Sequence, residues 1–172
     1  MRKLLLLFSL LVILCQPAAA NPVTLTGFGD VDLEQAITVT EAHDKNGSII
    51  YNLKVKDGNI WRGAMLFPPK TVTNKAAIST AIKTDVLLDN LVAEKFAKRT
   101  DFIEADKAAP LQLGSKIGAS TNLKATASSL ILNMNIILLS TNDGNKFTML
   151  ACADSDMSYW QPIFHKIVST IQ

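Results

Sequence analysis

The apolar and polar positions between Leu33 and Phe67 fall into three short runs that read as β-strands. Leu33 to Thr40, Ser48 to Val55 and Ile60 to Phe67 are rich in β-branched and aromatic residues, the composition that suits a strand half buried on a pleated surface. Turn chemistry separates them, first as Asp44-Lys45-Asn46-Gly47 and then as Lys56-Asp57-Gly58-Asn59. Asp-Gly between two such runs predicts a two-residue hairpin loop, because both central positions of a type I′ turn need positive φ. Pro68-Pro69 follows, and two residues without backbone N–H donors predict the end of the third strand.

Beyond Asn74 the apolar spacing becomes helical. The segment 74–99 has Thr73 or Asn74 available as N-cap and Lys95, Lys98 and Arg99 at its C-terminal end, where cations complement the helix dipole. Ile78, Ile82, Val92 and Phe96 cluster on one side, but Asp85 and Asp89 fall in the same sector, which predicts a kink near Thr84-Asp85. From Phe102 to Gly118 the chain reads as short extended pieces broken by Pro110, Gly114 and Gly118. Strand character returns over Leu123 to Leu139 and over Lys146 to Ala153, around a second Asp-Gly turn. Ser158-Tyr159-Trp160-Gln161 fits a capping box with Pro162 in the first turn. Trp160, Ile163, Phe164, Ile167 and Ile171 then share one helical face. The expected fold is α+β: a single twisted antiparallel sheet packed by a central kinked helix and a C-terminal helix.

Register arithmetic exposes candidate surfaces. A two-residue loop at Asp143-Gly144 pairs Leu138 with Met149, Ile136 with Ala151 and Met134 with Ala153, an apolar core face. The reverse face pairs Leu139 with Thr148, Ile137 with Leu150, Asn135 with Cys152 and Asn133 with Asp154. Asn133, Asn135, Cys152 and Asp154 thus form a polar island, either a partner surface or the ordinary water-facing side of a sheet. The same exercise at Asp57-Gly58 pairs Lys54 with Trp61 and Ile50 with Met65. A tryptophan opposite a lysine near a hairpin end is a candidate binding anchor; a cation–π pair covering the sheet is the structural alternative.

The N-terminus changes the picture of where the protein works. Met1-Arg2-Lys3 precedes an apolar run from Leu4 to Cys15, followed by Gln16-Pro17-Ala18-Ala19-Ala20-Asn21, the order of a secretory signal peptide with cleavage expected after Ala20. Its 12 apolar-run residues fall short of the ~20 that span a bilayer. Residues 21–172 are then read as one domain without a membrane span, of unassigned oligomeric state. The leader removes Cys15 and leaves Cys152 alone, so no intramolecular disulfide is possible. Export without a disulfide points to a bacterial periplasm, with secretion as the alternative.

Charge and chemistry mostly exclude. The formal charge of +2 comes from 17 Lys+Arg against 15 Asp+Glu, and removing Arg2 and Lys3 brings it to zero. No basic stripe remains for a phosphate backbone, so nucleic acid is not an expected partner. His43 sits in a polar turn and His165 projects away from the apolar stripe of the last helix. No Gly-x-Ser-x-Gly elbow, glycine-rich phosphate loop or His-Glu-x-x-His occurs in the sequence. Asp154-Ser155-Asp156 and Asp30-Val31-Asp32 lack the spacing of a calcium loop. Asp85 and Asp89, four apart on the expected helix, suit a helix start after the kink better than acid–base work. No cofactor and no metal is expected, and Cys152 reads as a small core residue rather than a nucleophile.

The C-terminal third, Ile136-Ile137-Leu138-Leu139, the Asn-Asp-Gly turn, Phe147-Thr148-Met149-Leu150 and Tyr159-Trp160 leading to Phe164-His165-Lys166-Ile167-Val168-Ser169-Thr170-Ile171, resembles the final hairpin and closing helix of PsbP-like and DcrB-like proteins. That resemblance implies a twisted antiparallel sheet flanked by helices, used for binding or assembly of other exported proteins, with no shared catalytic centre. The expected function is a non-enzymatic periplasmic binding or accessory protein that recognises another cell-envelope protein through a sheet face or hairpin end. An immunity or inhibitor protein against an envelope toxin or hydrolase is the alternative within binding, and a Cys152-dependent enzyme is the alternative of a different class.

Overall fold

The computed structural model describes residues 22–34, 36–72, 102–127 and 130–172. The expected leader and the kinked helix over 74–99 lie outside them. Strands occupy 66 % of the described residues, and this overturns the balanced α+β reading. The described residues are mostly β, with one α-helix among them. The difference arises where the sequence looked broken: the 102–118 pieces are paired strands, and the third strand runs through its prolines.

The described residues form ten strands in chain order: β1 (Pro22–Leu25), β2 (Gly29–Asp32), β3 (Thr38–His43), β4 (Ile49–Asp57), β5 (Ile60–Val72), β6 (Phe102–Ala105), β7 (Ala109–Leu113), β8 (Lys116–Ala127), β9 (Leu130–Thr141) and β10 (Gly144–Ala153). A 3-10 turn at Asp154–Asp156 leads into helix α1 (Met157–Ser169). Among the described residues β1 and β2 pair with each other alone, while the others make an eight-stranded antiparallel sheet ordered β3-β4-β5-β10-β9-β8-β6, with β7 also on β8. The outer side of β8 is shared, with β6 alongside Leu123 to Ala125 and β7 alongside Lys116 to Ser120.

Two apolar clusters explain why this arrangement forms. On one face, Trp160, Phe164, Ile167 and Val168 of α1 pack on Leu53, Leu66, Ile137, Leu139 and Leu150, and the β1–β2 hairpin adds Leu25, Phe28 and Val31. Burial of each large side chain here stabilises the fold by roughly 1.5–3 kcal/mol relative to exposure. Thr170 Oγ1 donates to the Phe28 carbonyl at 2.8 Å, pinning the hairpin to the end of the helix. On the opposite face Leu123, Met134, Ile136, Leu138, Phe147 and Met149 form a second buried strip. The centres of β9 and β10 are therefore covered on both sides, which is why Leu130 to Leu139 is almost continuously apolar.

Both hairpins close two positions away from the expected pairing. Thr141 pairs with Gly144, so the loop is Asn142-Asp143, and Leu138 faces Phe147 while Ile136 faces Met149. Asp57 pairs with Ile60 around Gly58-Asn59, so Lys56, not Lys54, lies opposite Trp61, and Lys54 lies opposite Gly63. A shift of two leaves every side chain on its expected face, because the side-chain period of a strand is two. β5 continues through Pro68-Pro69 because the ladder with β10 skips there: Phe67 pairs with Met149 and Lys70 with Phe147. Thr148 fills the gap by donating its hydroxyl to the Phe67 carbonyl at 2.6 Å. Such an irregularity is where a sheet tolerates proline. α1 begins at Met157 with Asp156 as N-cap and no side-chain capping bond, which places Pro162 inside the helix and leaves the Ser158 capping box unformed.

Candidate functional site

The face of the sheet opposite α1 changes character along its length. Met149, Ala151 and Met134 are buried, but the strip continues to Leu132, which is half-buried, and to Leu130, 51 % exposed. On β5, Met65 is 36 % exposed and Trp61 68 %. Alternation puts Trp61, Gly63 and Met65 on the same face as Asn52 and Lys54 of β4, Ala151 and Ala153 of β10, and Leu130 and Leu132 of β9. These residues line a groove of about 360 Å³. Its floor is small side chains, Gly63, Ala151 and Ala153, and its walls are Trp61 and Met65 on one side and Leu130 and Leu132 on the other. Exposed aromatic and aliphatic residues gathered in one concave patch are the usual composition of a binding surface.

The hairpin tip that carries Trp61 is fastened from behind. Arg62 points to the α1 face, where Nη1 donates to Asp156 Oδ1 at 2.6 Å and Nε to Asp57 Oδ2 at 3.1 Å. Its guanidinium also lies 5.4 Å from the centre of the Tyr159 ring. The hydrogen bonds to Asp57 and then Asp156 raise the Arg62 pKa. With Arg62 held on one side, its neighbour Trp61 is presented on the other. Asp156, the acidic residue of the groove lining, is thereby paired, sharing the one guanidinium with Asp57.

The polar island has a different fate. The side chains of Asn133, Asn135 and Cys152 are buried on the same face as α1. Asn133 Nδ2 donates to Asp154 Oδ1 at 2.9 Å, and Asn135 Nδ2 donates to Asn122 Oδ1 at 2.8 Å. Asp154 is half-buried and also lies 3.5 Å from Lys124 Nζ. Asp154 is the main cause of the raised Lys124 pKa, with Glu104 adding to it. Burial, with smaller contributions from the Asp156 and Asp154 charges, pushes the Cys152 thiol up to about 12, so it stays protonated at neutral pH. His165 is half-buried rather than solvent-facing, with its Nε2 enclosed and its pKa lowered by burial. His43 is exposed beside Glu41 at 3.7 Å. Among the described residues no group of three or more His, Cys, Asp or Glu is placed to hold a metal ion.

Of the six candidate residues, the groove therefore unites Trp61, Lys54 and one edge of Cys152, while Asn133, Asn135 and Asp154 belong to an internal network. Sequence reasoning missed Gly63, Leu130 and Leu132. Leu130 and Leu132 share the even-numbered face of β9 with Met134 and Ile136, a signal present in the alternation.

No protein-family model matches the chain, and no curated protein matches its sequence. Among solved structures it is similar to the crystal structure of PA94 from Pseudomonas aeruginosa, a protein of unknown function, at 12 % identity and a TM-score of 0.49 over 89 % of this chain and 96 % of that one. A likeness of that depth says nothing of function.

Proposed function

We propose that this is an exported, non-enzymatic binding or accessory protein that recognises another protein of the cell envelope through the Trp61 groove. One observation carries the reading: Trp61, 68 % exposed, stands with Met65 and Leu130 over a floor of Gly63, Ala151 and Ala153. Leaving large apolar side chains in water costs stability that a partner's surface would restore, since each forgoes about 25 cal/mol per Å² of burial. The one cysteine of the described residues is enclosed and protonated, which fits a binding role better than nucleophilic chemistry.

Site-specific photo-crosslinking tests the proposal. A benzophenone side chain at position 61 or 65 is expected to trap a partner polypeptide in producing cells. The same probe at Ile117, equally apolar and 58 % exposed but outside the groove, is expected to trap none. Equal trapping from all three positions, or none from 61 and 65, overturns the reading.

A further inference from the structure

The groove carries information about what it holds. Gly63 is the fourth residue of β5, without a positive φ, and among the described residues a Cβ built on it would meet nothing closer than the Leu53 carbonyl oxygen at 3.9 Å. Among the described residues nothing requires glycine there. Glycine in a strand interior weakens the strand unless another backbone approaches closely, and Ala151 and Ala153 extend the same low floor across β10. From β4 to β9 the trough crosses three inter-strand spacings, about 14 Å. That breadth accepts a ridge of apolar side chains projecting from another chain.

The rim is cationic. Lys54 lines the groove, and Lys56 lies opposite Trp61 on the same face. Neither makes an ion pair among the described residues, whereas the acid of the lining, Asp156, is taken by Arg62 at 2.6 Å. A second copy of this chain would bring the same lysines towards each other, an unfavourable like-charge contact. A flat anionic bilayer would meet the rim but leave the concave floor unfilled.

Resting on the binding reading above, we infer that the groove takes an apolar segment of another polypeptide flanked by acidic residues. The apolar side chains enter between Trp61 and Leu130, and the flanking carboxylates meet Lys54 and Lys56. Gly63 sets the depth of the trough and so the bulk of what enters.

The two tryptophans make the test direct. Trp160 is fully buried and Trp61 is not, so iodide quenching of native fluorescence reports Trp61 alone. Short Leu/Phe peptides flanked by Glu, by Gln or by Lys are titrated into the purified protein, with anionic phospholipid vesicles in parallel. The Glu-flanked peptide is expected to protect Trp61 and to bind roughly fivefold tighter than the Gln-flanked one at low salt, with the difference fading at high salt. Lys54→Glu with Lys56→Glu is expected to reverse the preference in favour of the Lys-flanked peptide. Gly63→Leu is expected to abolish protection while leaving the circular dichroism and the melting temperature unchanged or raised. Equal affinity for all three peptides, no protection by any of them, or stronger protection by vesicles overturns the inference. The crosslinking result at positions 61 and 65 does not depend on peptide charge, so it separates failure of the charge assignment from failure of the groove itself.

Discussion

Gly118 and Gly63 are both strand glycines, yet the structure assigns them opposite mutational signs. A Cβ on Gly118 would clash with the Leu138 carbonyl oxygen and lie 3.2 Å from the Leu139 Cα. Both are backbone atoms of the paired strand, so Gly118→Ala cannot be absorbed by a rotamer change and must push β8 from β9 beside the buried Leu138 and Leu139. Overpacking of this kind costs about 3 kcal/mol, the upper part of the usual range. For a domain of this size that is a fall of about 6–12 °C in Tm. At Gly63 the nearest atom among the described residues to the added methyl is 3.9 Å away. Gly63→Ala should therefore stabilise by roughly 0.5–1 kcal/mol, as an alanine in a strand interior loses less backbone entropy on folding. That corresponds to a rise of about 1–4 °C. Thermal melts of both variants by circular dichroism, at matched protein concentration, supply the comparison. If Gly63→Ala falls as far as Gly118→Ala, glycine at 63 is a requirement of the fold, and the argument that its missing side chain serves the groove fails.

Three further outcomes follow from the packing. Cys152, 3 % exposed with its thiol pushed up to about 12, should resist a thiol reagent in native protein at pH 7.5 and react stoichiometrically once unfolded; rapid native labelling would show an open, acidic thiol. His165 has a pKa lowered below its ordinary 6.5 by burial, so the unfolded chain binds the proton more tightly and stability is lost as pH falls through that ordinary value. The Tm should drop between pH 7.5 and 5.5 by more in the parent than in His165→Gln, and an equal drop would refute it. Phe164→Ala removes a fully buried ring from between α1 and the sheet and should cost about 3–5 kcal/mol, read by urea denaturation; a loss below about 1 kcal/mol, the scale of an ordinary surface change, would mean the helix is not held by this contact.

Much of the sheet was legible because strand pattern is robust to local error. The loop residues at both hairpins were misplaced, yet the faces of Leu138, Ile136 and Met134 came out correctly, since a slip of two preserves inside and outside. Gly144 shows why the loop was misread: it has φ +117 but already pairs with Thr141 as the first residue of β10. The Trp61 end of the candidate site was visible for the same reason of parity, although its lysine partner shifted from Lys54 to Lys56. Two features escaped. Pro68-Pro69 looked like a terminator because a sequence does not show that the opposite strand skips a residue there. Asn133 and Asn135 looked like a surface because the pairing of two strands does not say that α1, which follows β10, packs on that side.

The divided border of the sheet has a consequence for the protein in a crowded compartment. β6 and β7 are 4 and 5 residues long and interrupted at Asp106 to Ala108, and the opposite border, β3, carries Glu41 and His43 over only 6 residues. Neither offers the long, flat, uncharged ribbon from which fibrils are templated. Short, charged borders of this kind disfavour edge-to-edge pairing between copies at high concentration, even though Trp61 and Leu130 stand exposed on the sheet face.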